Sequence, residues 1–189
     1  MVENQEIGSK TDQELVALTL ENQDNFLYIV NRYEKKLLSF ILRISNVPLE
    51  DAQDFLQEIF IKVYQNLNDV DPSLKFSSWI YRVTRNHVIS HYRKYKVRPH
   101  AVGLDVNDEV LQNIASEFDT DRHIDNQFAR TKIMGVLSRL DSKYREVIIL
   151  RFFEDKNYQE ISDIIKKPIN TVGTLLNRAK KQFKEQYHI

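Results

Sequence analysis

Apolar residues recur along most of this chain at intervals of three and four, the spacing that gathers them on one side of an α-helix. Thr11-Asp12-Gln13-Glu14 is a capping box opening a first helix, with Leu15, Leu18 and Val16 toward its inner side. A second helical run, from about Gln23 to Ser45, carries Phe26, Ile29, Val30, Tyr33, Leu37, Phe40, Ile41 and Ile44, and stops at Asn46-Val47-Pro48. A third spans about Leu49 to Leu67 and gives way to a turn-rich loop at Asn68-Asp69-Val70-Asp71-Pro72-Ser73. A fourth begins at Ser77 or Ser78, is amphipathic early and basic late, and fades near Tyr95 before Arg98-Pro99. From about 98 to 125 the periodicity weakens. It resumes from Asn126 to Leu140, and Asp141 is the expected N-cap of a further helix through Phe153. A short helix faced by Ile161, Ile164 and Ile165 then meets a break at Lys166-Lys167-Pro168, and a last amphipathic run starts at Asn170-Thr171.

Composition agrees with helices: 42% of the 189 residues are hydrophobic, 29% are charged, and only 4 Gly and 4 Pro are present. With no Cys, disulfides, thiolate metal sites and cysteine nucleophiles are excluded, which suits a reducing compartment. MVENQEIGSK has no apolar signal core and no run approaches a membrane span, so a cytoplasmic protein without direct membrane insertion is expected. The formal net charge of zero hides a segregation. Residues 82–98 hold six Lys/Arg and no acid, and residues 166–184 hold another six and no acid. Between them, residues 105–125 hold seven acids against one Arg. Two basic regions on either side of an acidic connector suggest two nucleic-acid-contacting parts and a tether of opposite sign.

At about 100° per residue, the third helix gathers Ala52, Phe55, Leu56, Ile59, Phe60, Val63 and Leu67 on one half. Asp51, Asp54, Gln57, Glu58, Lys62 and Gln65 share the other, and Ile61 falls in the middle of that polar half. An isolated exposed Ile is common, but an apolar residue ringed by Asp54, Gln57 and Glu58 also has the layout of a partner-binding spot with a polar rim. In the fourth helix, Phe76, Trp79 and Tyr81 are interleaved with Arg82, Arg85 and Arg93, a combination that suits unstacked bases and their phosphates. For Trp79, with Ile80 and Val83 beside it, a core position is the stronger reading. His87 and His91 stand at i, i+4, a metal-ligand spacing, yet no third ligand is near in sequence and cations surround them, so no metal or other cofactor is expected.

The closing pair of helices has the layout of a helix-turn-helix, whose second helix enters the major groove of DNA. In that helix Val172, Leu176, Ala179 and Phe183 point inward, leaving Gly173, Thr174, Asn177, Arg178 and Lys181 outward, with Leu175 at the margin. Thr, Asn, Arg and Lys can all donate to phosphates or base edges. An ordinary surface helix with a solvated cationic end fits the same pattern, since Lys and Arg also suit the negative end of the helix dipole.

Taken together these segments resemble the extracytoplasmic-function (ECF) group of sigma-70 transcription initiation factors. Asp51-Ala-Gln-Asp-Phe-Leu-Gln-Glu-Ile-Phe60 resembles the D-A-x-D-x-x-Q-E-x-F signature of region 2, and Phe76-Ser-Ser-Trp-Ile-Tyr-Arg-Val-Thr-Arg-Asn86 its F-x-x-W-L-x-R-I-A-R-N. Leu140, Tyr144-Arg-Glu-Val-Ile-Ile-Leu-Arg151, Tyr158-Gln-Glu-Ile-Ser162 and Pro168-Ile-Asn-Thr-Val172 resemble region 4. The likeness runs through nearly the whole chain in the same order. It implies an all-α chain with a region 2 bundle at 1–97, a flexible acidic linker at 98–126 and a region 4 helix-turn-helix at 127–189.

By the same resemblance, Asp51, Asp54, Gln57, Glu58 and Ile61 dock core RNA polymerase, whose β′ clamp and β flap are the expected contacts. Phe76, Trp79, Arg82, Arg85, Asn86 and Arg93, with the Asn68–Ser78 loop, meet the −10 promoter element. Thr171, Gly173, Thr174, Leu175, Asn177, Arg178 and Lys181 read the −35 element. The chain is expected to be a monomer when free and to be held by an anti-sigma factor, which can keep it at the inner membrane face. Gly173 and Leu175 stand where the family often carries basic residues. The competing reading is a stand-alone helix-turn-helix regulator with an N-terminal sensing or dimerisation domain. An enzyme is not expected, since no glycine-rich phosphate loop, metal cluster or nucleophile–base set occurs.

Overall fold

The computed structural model describes residues 10–45, 47–71, 73–94 and 126–187, with backbone alone at 92–94 and 126–131. The described residues are helical with no strand. They divide into two compact units, one within residues 1–100 and the other within 101–189. The acidic segment read as a linker lies outside the described residues.

The first unit holds α1 (Asp12–Glu21), α2 (Phe26–Ser45), α3 (Leu49–Gln65) and α4 (Phe76–Lys94), with short 3₁₀ turns at Gln23–Asn25 and Leu67–Asp69. The Thr11 hydroxyl accepts the Glu14 N–H while the Glu14 carboxylate accepts the Thr11 N–H, so α1 starts at its capping box. α2, α3 and α4 pack against one another, and α1 packs on α2 and α4. Each helix supplies one apolar stripe to a common core: Ile29, Tyr33, Leu37, Phe40 and Ile41 from α2; Ala52, Leu56, Ile59 and Val63 from α3; Phe76, Ile80, Tyr81 and Val88 from α4. Tyr33 and Phe76 meet edge to face at 5.7 Å, and Phe40 lies 5.0 Å from Tyr81, the tilted geometries that aromatic quadrupoles favour. The buried hydroxyls of Thr19, Ser45 and Thr84 each donate to a carbonyl four residues back, so no polar partner from another helix is needed.

Asp12 fastens α1 to this bundle. Its two carboxylate oxygens accept from Arg32 at 2.8 Å and from the Tyr33 hydroxyl at 2.5 Å, and Arg32 also donates to the Lys10 carbonyl at 2.7 Å. Burial first, and then the Asp12 carboxylate, raise the Tyr33 phenol well above its ordinary range, so it remains a donor throughout the physiological range.

The second unit holds α5 (Asn126–Arg139), α6 (Ser142–Ile148), α7 (Tyr158–Ile165) and α8 (Ile169–Tyr187). α8 packs on α5, α6 and α7, and its Val172, Leu176, Ala179 and Phe183 are fully buried, as their spacing predicts. Arg145 closes the end of α5 by donating to the carbonyls of Leu137, Ser138 and Leu140.

Of two expectations for this unit, one holds and one is corrected. Asp141 occupies the N-cap of α6, as expected, and its carbonyl accepts the Tyr144 and Arg145 N–H groups, but its side chain caps no N–H; the carboxylate instead lies 3.4 Å from the Lys143 ammonium. The helix expected through Phe153 is α-helical only to Ile148 and continues as a π-helical turn, Ile149–Phe153, where the Glu154 N–H reaches the Ile149 carbonyl. Val147, Ile148, Ile149 and Leu150 are all buried across this junction, so the segment is enclosed on most of its circumference.

Replacing Asp12 by Ala is expected to destabilise the first unit by about 1–3 kcal/mol, since the buried Tyr33 hydroxyl loses its charged acceptor. Urea denaturation followed by circular dichroism reads this as a lower midpoint with an unchanged slope.

Candidate functional site

Three surfaces carry the residues singled out by the sequence. On α3, burial of Ala52, Leu56, Ile59, Phe60 and Val63 fixes the rotation of the helix and turns the opposite half to solvent. Asp51, Asp54, Gln57, Glu58 and Ile61 are all exposed there, Ile61 at 57%. Glu50 and Asp51 in the first turn suit the positive end of the helix dipole. This face is solvated and acidic around Ile61, with Tyr64 also exposed one turn further along.

The α4 residues split. Phe76 and Trp79 are buried and stack on each other at 5.6 Å and 29°, so they form core beneath the surface and neither ring is open to a base. The interleaving with cations that suggested base stacking arises because the apolar stripe and the basic stripe of α4 run side by side. Arg82 and Arg85 are half-buried, Asn86 is exposed, and Arg85 donates to the Asn86 side-chain oxygen at 3.3 Å. That contact occupies the Asn86 side-chain oxygen, while the residue as a whole remains exposed. Arg93 belongs to α4, but its side chain lies outside those described. In the loop before α4, Asp71 accepts from the Ser73 N–H at 2.9 Å and the Ser73 hydroxyl at 2.6 Å, an Asx-type turn that sets the entry into the helix.

The third surface belongs to α7 and α8. Asn157 and Glu160 form a second capping box, starting α7 at Tyr158. Lys166 ends it in a left-handed conformation, φ 53°, and the Ser162 hydroxyl donates to the Lys167 carbonyl at 2.6 Å across the turn. Pro168 then precedes the first residue of α8. Thr174, Asn177, Arg178 and Lys181 are exposed, while Thr171 and Leu175 are half-buried. Thr174 donates its hydroxyl to the Asn170 carbonyl at 3.0 Å, so toward solvent that oxygen is an acceptor. Gly173 is the exception to the outward set. A Cβ there would sit 3.8 Å from the Tyr158 ring, so this position faces α7. Lys180, which the helical wheel did not single out, is half-buried with its ammonium 5.6 Å over the Phe152 ring, and burial lowers its pKa.

One cluster was not foreseen. His87 and His91 on α4 meet Glu58 from α3: one Glu58 carboxylate oxygen lies 3.3 Å from His87 Nε2 and 3.5 Å from His91 Nε2. The third group missing in the sequence near the two histidines is thus supplied by the packing of α3 on α4. Phe55, half-buried, lines the cluster with its ring 5.7 Å from His87 and 4.9 Å from His91. The Lys62 ammonium is 2.6 Å from His87 Nδ1. Burial, then the charges of Lys62 and His91, hold the His87 imidazole down at about 4 against the opposing pull of Glu58.

Comparison with known proteins places these surfaces in a family. Residues 29–98 match the model of Sigma-70 region 2, and residues 130–183 match that of Sigma-70 region 4. The chain is 29% identical over 170 residues to the ECF RNA polymerase sigma factor SigW of Bacillus subtilis, covering 87% of this chain and 90% of that one. It is 28% identical over 176 residues to the ECF RNA polymerase sigma-E factor of Escherichia coli, covering 90% and 91%. The chain belongs to the ECF group of the sigma-70 family. Its fold is that of two solved complexes. CnrH bound to the cytosolic domain of CnrY gives a TM-score of 0.67 at 21% identity, covering 93% of this sigma factor and 96% of CnrH. The sigma factor RpoE bound to the anti-sigma factor NepR of Bartonella quintana gives 0.66 at 18%, covering 87% and 98%. Among the described residues, no helix of this sigma factor is long and apolar enough to cross a membrane.

Two predictions follow from these surroundings. His87 is neutral in the native state down to about pH 4, whereas an unfolded histidine takes up its proton near 6.5. Below about 6.5 the unfolded chain therefore binds a proton that the native chain refuses, and stability falls as pH drops from there toward 4. Above 6.5 this contribution is constant. In metal-free buffer, His87→Gln is expected to flatten that acid limb in urea midpoints measured from pH 7 to 4. Separately, Gly173→Ala is expected to raise the stability of the second unit by up to about 1 kcal/mol, because alanine favours helix and the Tyr158 ring leaves it ordinary contact distance. A higher melting temperature for that variant checks it.

Proposed function

We propose that this chain binds core RNA polymerase and directs promoter-specific transcription initiation, as a non-enzymatic factor acting in the cytoplasm. The observation that carries this reading is the ordered match of regions 2 and 4 to two separate helical units, each presenting an exposed face of the appropriate chemistry. Asp51, Asp54, Gln57, Glu58 and Ile61 are the proposed polymerase contacts: an exposed apolar centre within a polar rim needs little rearrangement to bury. For the −10 element the reading now rests on Asn86, Arg82, Arg85 and Arg93 with the loop before α4. Phe76 and Trp79 serve by holding α4 in place. For the −35 element, Thr174, Asn177, Arg178 and Lys181 are the proposed contacts on α8, flanked by Thr171 and Leu175.

Promoter DNA and the β′ clamp and β flap of core polymerase are accordingly the proposed partners. The structures sharing this fold are of complexes, one of them with an anti-sigma factor, and an anti-sigma factor is a further proposed partner. The region 2 domain, linker and region 4 domain are proposed at about 1–97, 98–126 and 127–189.

Ile61→Lys is the direct test of docking. Being exposed, the change is expected to leave the melting temperature within about 0.5 kcal/mol of wild type in stability terms, yet to lower affinity for core polymerase at least tenfold in gel-shift or filtration assays. Normal core binding by this variant refutes the docking face. Tight, sequence-specific duplex binding by the free chain would instead favour the stand-alone regulator. For α8, Arg178→Ala is expected to reduce transcription on every member of a randomised −35 library if it grips phosphate, and on a subset if it reads a base. Leu175→Arg is expected to shift base preference by about 1–3 kcal/mol at one position.

A further inference from the structure

We propose that Glu58, His87 and His91 form a binding site for one divalent ion of the zinc class, bridging α3 and α4. The donor set is two imidazoles and a carboxylate, which suits a borderline ion with a further position left for solvent. All three ligand atoms lie within 4.8 Å of one another. A tetrahedral ion with bonds of about 2.1 Å places its ligands about 3.4 Å apart. The two distances from the Glu58 oxygen, 3.3 Å and 3.5 Å, match that edge length. They are long for charge-assisted hydrogen bonds, which contract to about 2.7–2.9 Å.

A second observation points the same way. The His87 side chain is 1% exposed, and its Nε2, turned toward Glu58, has no hydrogen-bond partner. A buried polar atom left in that state is uncommon in a folded protein, and an ion held with Glu58 and His91 would satisfy it. The i, i+4 spacing stacks the two rings, 4.5 Å apart and tilted by 35°, on one face of α4. Phe55 walls the cluster on one side, while Glu58 is half exposed and His91 a quarter exposed, so an ion can enter from solvent.

Coordination has a requirement that the structure makes visible. Nε2 of His87 must offer its lone pair, so the ring proton must sit on Nδ1. Lys62 now contacts Nδ1, and its ammonium donates there. Ion binding therefore turns the exposed Lys62 away into solvent. It also draws in Glu58, which the proposed function assigns to polymerase docking. On that reading, and only for this consequence, an occupied site competes with docking.

The test uses the full chain stripped with EDTA and dialysed, titrated calorimetrically with Zn²⁺ and spectroscopically with Co²⁺. Wild type is expected to bind one ion per chain, to give the intense visible absorption of tetrahedral Co²⁺, and to melt at a higher temperature when loaded. His91→Ala, at the more exposed histidine, and Glu58→Gln are each expected to weaken binding at least a hundredfold while keeping native circular dichroism. Unchanged stoichiometry and affinity in both variants, or no binding by wild type, overturns the site. In a core-binding assay at buffered free zinc, wild-type affinity is expected to fall at least tenfold on loading while His91→Ala is indifferent to zinc. Wild type that binds zinc but docks equally well loaded or stripped keeps the site and refutes the competition. Loss of docking on Ile61→Lys in zinc-free buffer shows separately whether the docking face itself stands.

Discussion

The helices α2, α3 and α8 each bury one apolar stripe, and burying that stripe leaves no freedom in the rotation of the helix about its axis. With Ala52, Ile59 and Val63 pressed into the first unit, Gln57, Glu58 and Ile61 must face the other way. With Val172, Leu176, Ala179 and Phe183 pressed into the second, Asn177 and Arg178 must do likewise. The outward chemistry is therefore set by the inward packing, to within the roughly 100° that separates neighbouring residues. Caps and turns fix the remaining coordinate, the position along the axis: Thr11 with Glu14, Asn157 with Glu160, and the left-handed Lys166 decide where helices begin and stop.

This explains which features could be read from the sequence and which could not. The exposure of Ile61 and the burial of Val172 and Leu176 follow from periodicity within one helix, so counting residues was enough. Phe76 and Trp79 were harder, because an aromatic among cations looks the same in sequence whether it lies under the basic stripe or within it. Burial of Phe76 and its contact with Tyr33 of α2 show that it lies underneath. The Glu58–His87–His91 cluster depends on the register between two helices, with Glu58 almost thirty residues from His87, and no local pattern encodes that. The π-helical turn has a similar origin. The buried run Val147 to Leu150 looks no different in sequence from Ser78 to Tyr81, which stays a regular helix, so tertiary packing selects the widened turn.

Polar groups inside the first unit show how narrow the margin between structure and function is. Thr19, Ser45 and Thr84 are satisfied within their own helices and place no demand on the neighbours. His87 differs: one ring nitrogen contacts Lys62 and the other is directed at Glu58. A buried imidazole poised between a cation and an anion ties the α3–α4 packing to two groups that reach solvent. Changes of charge on the α3 surface are thereby felt in the core.

The division into two units built from consecutive stretches of chain also has a meaning in time. Contacts within each unit join helices that follow closely in sequence, and such local topologies form quickly once their residues exist. A chain leaving the ribosome at about 5–20 residues per second emits the second unit several seconds after the first is complete. The first unit can thus close its core while the second is still being made, and its α3 face is presented to the cell before any residue of α8 has been synthesised. For those seconds a nascent chain carries one surface of the mature protein without the other, and whatever recognises α3 has the first opportunity to meet it.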